Sequence, residues 1–232
     1  MELSKRLQAV ADMVTKGEVV ADIGTDHGYI PIYLVQAQIC STAIAMDINE
    51  GPYMRAKQHI AGYGLANQIQ TRLSNGMNAL EQGEVTTVII AGMGGGLVMK
   101  ILEQDRRLWE GLQELILQPQ SEIDKVRTYL AKNSWDISEE EMVLDDGKYY
   151  TIMKATRGKV EPYTQKELLY GRKLIQKKNS VLLQFLNREI ELKETVIESL
   201  RDKSGEHIKV RILELQKELE VAYAVQRHIT AD

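Results

Sequence analysis

Val19-Val-Ala-Asp-Ile-Gly24-Thr-Asp-His-Gly28-Tyr-Ile-Pro31 is a β-branched run that passes through two glycines, four residues apart, into an apolar segment. Such a run reads as a buried strand, here Glu18 to Ile23, turning sharply into a helix, here Pro31 to Gln38. Glycine at the turn lets the backbone approach a bound molecule closely, with the amides of the following helix facing it. The dinucleotide fingerprint G-x-G-x-x-G is not met, because Asp26 stands where its second glycine would be. A carboxylate there repels a pyrophosphate but attracts a cation.

The same alternation runs outward from this stretch. Leu3, Leu7, Val10 and Val14 share one helical face before it. After it, Thr42 to Asp47, Ile69 to Leu73, Val85 to Ala91 and Leu115 to Leu117 read as strands. Gly51 to Gly62, Leu97 to Glu103 and Ser121 to Lys132 read as helices, the last with Ser121 as its cap. Asp146-Gly147 is a hairpin turn signal between Glu141–Leu144 and Tyr149–Lys154. Parallel βα units closed by an antiparallel hairpin describe a doubly wound α/β sheet of about seven strands.

Fifteen of the 17 glycines precede Lys159, which separates a loop-rich region, residues 1–159, from a helical one, residues 160–232. In the second region Ile208, Ile212, Leu215, Leu219 and Ala222 form a heptad stripe. A looser stripe begins at Leu174 and Ile175 and continues through Leu182, Leu186, Ile190, Ile197 and Leu200. Ser204-Gly205 divides the two stripes, so an antiparallel coiled-coil hairpin is expected. It either packs on itself or also meets a partner.

Composition narrows the function. The formal net charge is -4, which excludes a chain coated in basic surface but not a local basic patch. One cysteine, Cys40, and four scattered histidines give no disulfide framework and no expected metal site. No apolar run reaches the ~20 residues of a membrane span, and no signal-peptide core follows Met1. A soluble, cytoplasmic protein is expected, with a monomer favoured.

Four constellations carry chemistry. Asp26, with Gly24, Thr25, His27 and Gly28, suits the cationic sulfonium or amino group of S-adenosylmethionine. Asp47 ends the second strand 23 residues beyond Gly24, where an acidic residue grips ribose hydroxyls. It also fits a simple helix cap. Asn75 and Gly76 follow the third strand, placed either to border an adenine ring or to make an ordinary turn. The run Ile89-Ile-Ala-Gly92-Met-Gly-Gly-Gly96 puts four glycines in five positions at a strand end. A backbone lying against a flat ligand, or a mobile loop, accounts for that density. Gly92, Met93 and Gly94 join the candidate donor-binding residues.

The start Leu3-Ser-Lys-Arg-Leu7, the loops Asp22-Ile-Gly-Thr-Asp-His-Gly-Tyr-Ile-Pro31 and Ile90-Ala-Gly-Met-Gly-Gly-Gly96, and Leu117-Gln-Pro119 together resemble the bacterial tRNA (adenine(22)-N1)-methyltransferases. The resemblance covers nearly the whole chain. It implies a class I methyltransferase, Rossmann-like domain, S-adenosylmethionine as donor, and N1 of a tRNA adenine as acceptor. It also implies that Asp26 is the essential aspartate. Asp26 either stabilises or deprotonates the cationic product, or only holds the donor. His27 either assists or is a structural hydrogen-bonder. Tyr29, Tyr33, Tyr53 and Tyr63 are candidates for stacking on a flipped base or for packing. Arg6, Tyr29 and Gln118, with the cluster Arg172, Lys173, Lys177 and Lys178, are candidate tRNA contacts; the cluster equally fits a solvated helix face. Two rivals stand: a nicotinamide-dependent oxidoreductase, disfavoured by the missing fingerprint, and a catalytically inactive tRNA-binding scaffold.

Overall fold

The computed structural model describes residues 1–201 and 203–231, which divide into two compact units, Met1–Glu161 and Pro162–Asp232. The first unit runs α1 (Lys5–Asp12), β1 (Val20–Ile23), α2 (Tyr29–Gln36), β2 (Ala43–Asp47), α3 (Glu50–Gly62), β3 (Ile69–Leu73), β4 (Thr87–Met93), α4 (Gly95–Gln104), β5 (Glu114–Pro119), α5 (Ile123–Lys132), β6 (Trp135–Asp145) and β7 (Lys148–Arg157). One seven-stranded sheet has the order β3-β2-β1-β4-β5-β7-β6. The first five strands are parallel and β7 is antiparallel to both its neighbours.

Burial explains the strand sequences. Every residue of β1, β2 and β5 is buried, as strands covered on both faces by helices must be. Asp146 and Gly147 both have positive φ, 48° and 72°, the two-residue turn that suits the right-handed twist of a hairpin. The hairpin is longer than its sequence signal: β6 and β7 extend to 11 and 10 residues. At its root, Arg127 of α5 pairs with Glu140 of β6 at 2.8 Å, both side chains 1% exposed.

Parallel strands bring the loops after β1, β2, β3, β4 and β5 to one edge of the sheet. Chain direction out of the sheet centre reverses between β1 and β4, where Ile23 pairs with Ile90. A crevice opens at such a switch point.

Two local expectations give way here. Ser121 does not cap α5, whose first turn follows Glu122 in a left-handed conformation without a side-chain cap. Ser121 instead serves α4: its Oγ and carbonyl O accept from the Gly95 amide at 3.3 and 3.1 Å, and Glu122 Oε2 accepts from Gly96 at 3.1 Å. Gly95 and Gly96 are therefore not loop. They form the first turn of α4, and Gly95 is glycine because a Cβ would stand 2.4 Å from the Ser121 carbonyl oxygen.

In the second unit, α6 (Gln165–Tyr170) opens with a Thr164/Glu167 capping box, followed by α7 (Arg172–Gln176), α8 (Ser180–Arg201) and α9 (Glu206–Thr230). Leu182, Leu186, Ile190 and Ile197 of α8 and Leu215, Leu219, Ala222, Val225 and Ile229 of α9 are buried. Asn187 bonds Gln226 and Glu194 accepts from Tyr223, so the two helices run antiparallel. The first arm is not continuous back to Leu174. Gly171 (φ 88°) and Lys178 (φ 50°) break it, leaving α6 and α7 as separate short helices. The basic cluster accordingly does not share one helical face.

Candidate functional site

Two clefts lie at the switch point, on either side of a wall made by Gly24, Ala91 and Gly92. The first, about 310 Å³, is lined by the β1–α2 loop with Asp22, Thr25, Asp26, His27 and Tyr29, and by Arg6 and Gln120. The second, about 330 Å³, is lined by Asp47, Ile48, Asn49, Ser74, Asn75, Gly76, Met93, Leu97 and Ile101. The structure thus brings together most of the residues singled out for donor binding. Gly94 lines neither cleft; it precedes α4 with its Cα facing Ser121. Gly28 packs on Ile60 and Ala56 of α3.

Each cleft has an acidic anchor. In the second, Asp47 Oδ1 accepts from the Asn49 amide at 2.9 Å and Oδ2 from the Asp26 amide at 3.4 Å. The Asp47 carbonyl accepts from Ser74 N–H at 2.8 Å, which ties the third loop to the second. In the first cleft the anchor is Asp22. It is 3% exposed, and Thr25 Oγ1 donates to it at 2.6 Å. Burial pushes its pKa up to about 6, the Thr25 bond pulls it down, nearby Asp47 pushes it up and Arg6 pulls it down. A buried carboxylate lining a cleft favours a cationic ligand. The sequence does carry a signal for Asp22, as a charge within the apolar run of β1, but glycine spacing alone does not single it out.

The glycine wall fits a ligand lying flat across it. Gly24 and Gly92 have φ of 75° and 80°, and an added Cβ on Gly24 would meet the Met93 methyl at 2.2 Å. Met93 therefore rests directly on Gly24.

Asp26 also has positive φ, 50°. Its carboxylate meets Arg55 of α3 at 2.5 Å and His27 Nε2 at 3.5 Å. His27, Tyr29 and His59 stack with ring centroids 5.0 to 5.6 Å apart, and His59 Nδ1 lies 3.1 Å from the His27 carbonyl. The buried Nδ1 of His27 has no partner among the described residues. Arg6 reaches from α1 to Gln118 at 3.0 Å, with its guanidinium over the Tyr150 ring. Gln118 is fully buried and Arg6, not Gln118, faces the cleft. Neither Arg55 nor His59 carries a sequence signal, since both sit in an ordinary amphipathic helix.

The four basic residues of the second unit differ among themselves. Arg172 bonds Glu167 at 3.0 Å and the Pro162 carbonyl at 2.5 Å, and lies over the Tyr163 ring. Lys178 donates to the Ala231 carbonyl. Lys173 lies in α7 and Lys177 closes it. Among the described residues no group of three or more His, Cys, Asp or Glu side chains is placed to hold a metal ion, and no helix is long and apolar enough to cross a membrane.

Residues 3–153 match the family described as "Methyltransferase domain". The tRNA (adenine(22)-N(1))-methyltransferase of Bacillus subtilis is 33% identical, over 98% of this chain and 98% of its own. The structure of Streptococcus pneumoniae Sp1610 in complex with S-adenosyl-L-methionine is 31% identical, covers 97% of this chain and 100% of its own, and has a TM-score of 0.87. That of M. capricolum TrmK with S-adenosyl-homocysteine is 29% identical, with 99% and 100% covered and a TM-score of 0.85.

Proposed function

Since this chain belongs to the tRNA (adenine(22)-N1)-methyltransferase family, we propose that its two clefts together hold S-adenosylmethionine, and that Asp26 acts on the acceptor adenine. The enzyme transfers the donor's methyl group to N1 of an adenine in tRNA, at position 22. The observation that carries the reading of the site is the wall of Gly24, Ala91 and Gly92 shared by one cleft ending in Asp47 and another containing Asp22.

In this arrangement Asp47 accepts from the ribose hydroxyls, and Asn75 and Gly76 border the adenine ring, between Ile48 and Leu97. The buried Asp22 receives the cationic amino acid end. The donor supplies an electrophilic methyl carbon. Adenine N1 keeps a lone pair in the neutral base, so positioning matters more than activation. As the N1–C bond forms and the S–C bond breaks, positive charge moves onto the base. The Asp26 carboxylate stabilises that charge or takes a proton from N6. Tyr29 and His27 offer a face on which the flipped base stacks. Arg6 at the cleft and Lys173 and Lys177 of the second unit contact the tRNA. Residues 1–159 thus carry the chemistry and 160–232 contribute to binding, in a cytoplasmic monomer.

Incubation with unmodified tRNA and S-adenosylmethionine, followed by mapping of the methylated nucleotide, tests the activity. Asp26→Ala tests the site: it should reduce methyl transfer at least about 100-fold, the range of one general base, with little loss of fold stability. A near wild-type rate would remove Asp26 from the mechanism.

A further inference from the structure

The carboxylate assigned to the acceptor base is already engaged. Asp26 Oδ1 stands 2.5 Å from Arg55, with the two side chains 55% and 46% exposed. α3 is the helix beside the acceptor side of the site, because His59, one turn beyond Arg55, stacks on His27 and Tyr29. An ion pair this exposed contributes little to stability. The contact is therefore easily exchanged for another anion at the same place. A tRNA approaching this cleft brings phosphates to its rim, and a guanidinium fork matches a phosphate at least as well as a carboxylate.

We propose that Arg55 is a tRNA contact: it leaves Asp26 for a backbone phosphate next to the target adenine, and so releases the Asp26 carboxylate to face the base. Arg55 is a positioning residue, acting through Asp26 and through docking. The proposal rests on the assignment of Asp26 given above. It makes the acidic first unit, with 16 basic and 21 acidic residues through Lys159, locally receptive to a polyanion just where the base must enter.

The test uses the full chain with Arg55→Ala and Arg55→Lys, measuring tRNA affinity against salt, kcat and KM for tRNA, and the Kd for S-adenosylmethionine by calorimetry. With Arg55→Ala, the slope of log affinity against log salt should flatten by about one unit. KM for tRNA should rise several-fold and donor Kd stay within twofold. Arg55→Lys should restore the slope, since it keeps the charge. An unchanged slope with lowered kcat would show that Arg55 only orients Asp26, and an unchanged slope and KM would show a solvated surface pair; either result overturns the proposal. Failure of the parent assignment reads differently: Asp26→Ala would then retain activity while the Arg55 salt effect persisted.

Discussion

Gly24 and Gly95 both stand between a strand and the helix that follows it, yet they answer to different constraints. At Gly24 the backbone has φ 75° and the only obstacle to a Cβ is the movable end of Met93. Gly24→Ala should therefore cost about 1–2 kcal/mol in backbone strain and place a methyl in the donor's path. S-adenosylmethionine affinity measured by calorimetry should fall more than about tenfold, which is 1.4 kcal/mol. At Gly95 the obstacle is the Ser121 carbonyl, which cannot move without opening the start of α4. Gly95→Ala should lower stability by about 1–3 kcal/mol in denaturant titration. Glycine spacing announces both residues; only the neighbours brought by the fold separate ligand wall from close packing.

Asp22 gives a signed pH dependence at the same scale. The folded protein holds its proton more tightly than the unfolded chain, with a pKa of about 6 against 3.8. Stability should thus fall as pH rises from about 4 to 6 and then level off. Asp22→Asn removes this, so its advantage over wild type should grow by about 2 kcal/mol between pH 4.5 and 7.5, at 1.36 kcal/mol per unit. Saturating S-adenosylmethionine should reduce that loss in the wild type. Parallel pH profiles for the two proteins would instead show that Asp22 is not the titrating group.

At the scale of elements, much of the sheet is readable because β1, β2 and β4 are mostly apolar runs that end at a glycine or an aspartate. β1, β2, β3 and β4 stand within two residues of their sequence signals. Helix ends are less readable, because their caps come from elsewhere in the chain. Ser121 looks like a local cap for α5 but satisfies α4, 26 residues earlier. The break before α8 is hidden because Leu174 and Ile175 continue an apolar rhythm that Gly171 and Lys178 interrupt in backbone conformation. The pairing of α5 with β6 through Arg127 and Glu140 is invisible, since two charges in sequence read as surface. Removing one partner of a buried pair leaves the other without compensation. Arg127→Leu should destabilise the first unit by about 3–5 kcal/mol, and equal denaturation midpoints would rule out a structural role for the pair.

Charge is a property of the whole molecule, and it governs how an acidic protein holds tRNA. The first 159 residues carry 16 basic and 21 acidic groups, a net of -5; the remainder carries 13 basic and 12 acidic, a net of +1. Affinity for a polyanion then depends on a few placed cations that release counterions, not on overall attraction. The basic residues near α7 are the candidates in the second unit, but they are not equivalent. Arg172 is committed to Glu167, the Pro162 carbonyl and the Tyr163 ring, so Arg172→Ala should lower stability with little change in the salt slope. The double change Lys173→Ala, Lys177→Ala removes two cations from α7 and its C-terminal end. It should flatten the slope of log affinity against log salt by roughly 0.7–0.9 for each phosphate that the variant no longer neutralises. Calorimetry with S-adenosylmethionine alone should be unaffected by either change. If the double variant binds tRNA with the wild-type slope, α7 touches no phosphate, and the cations that dock the substrate lie in the first unit beside Arg6 and Arg55.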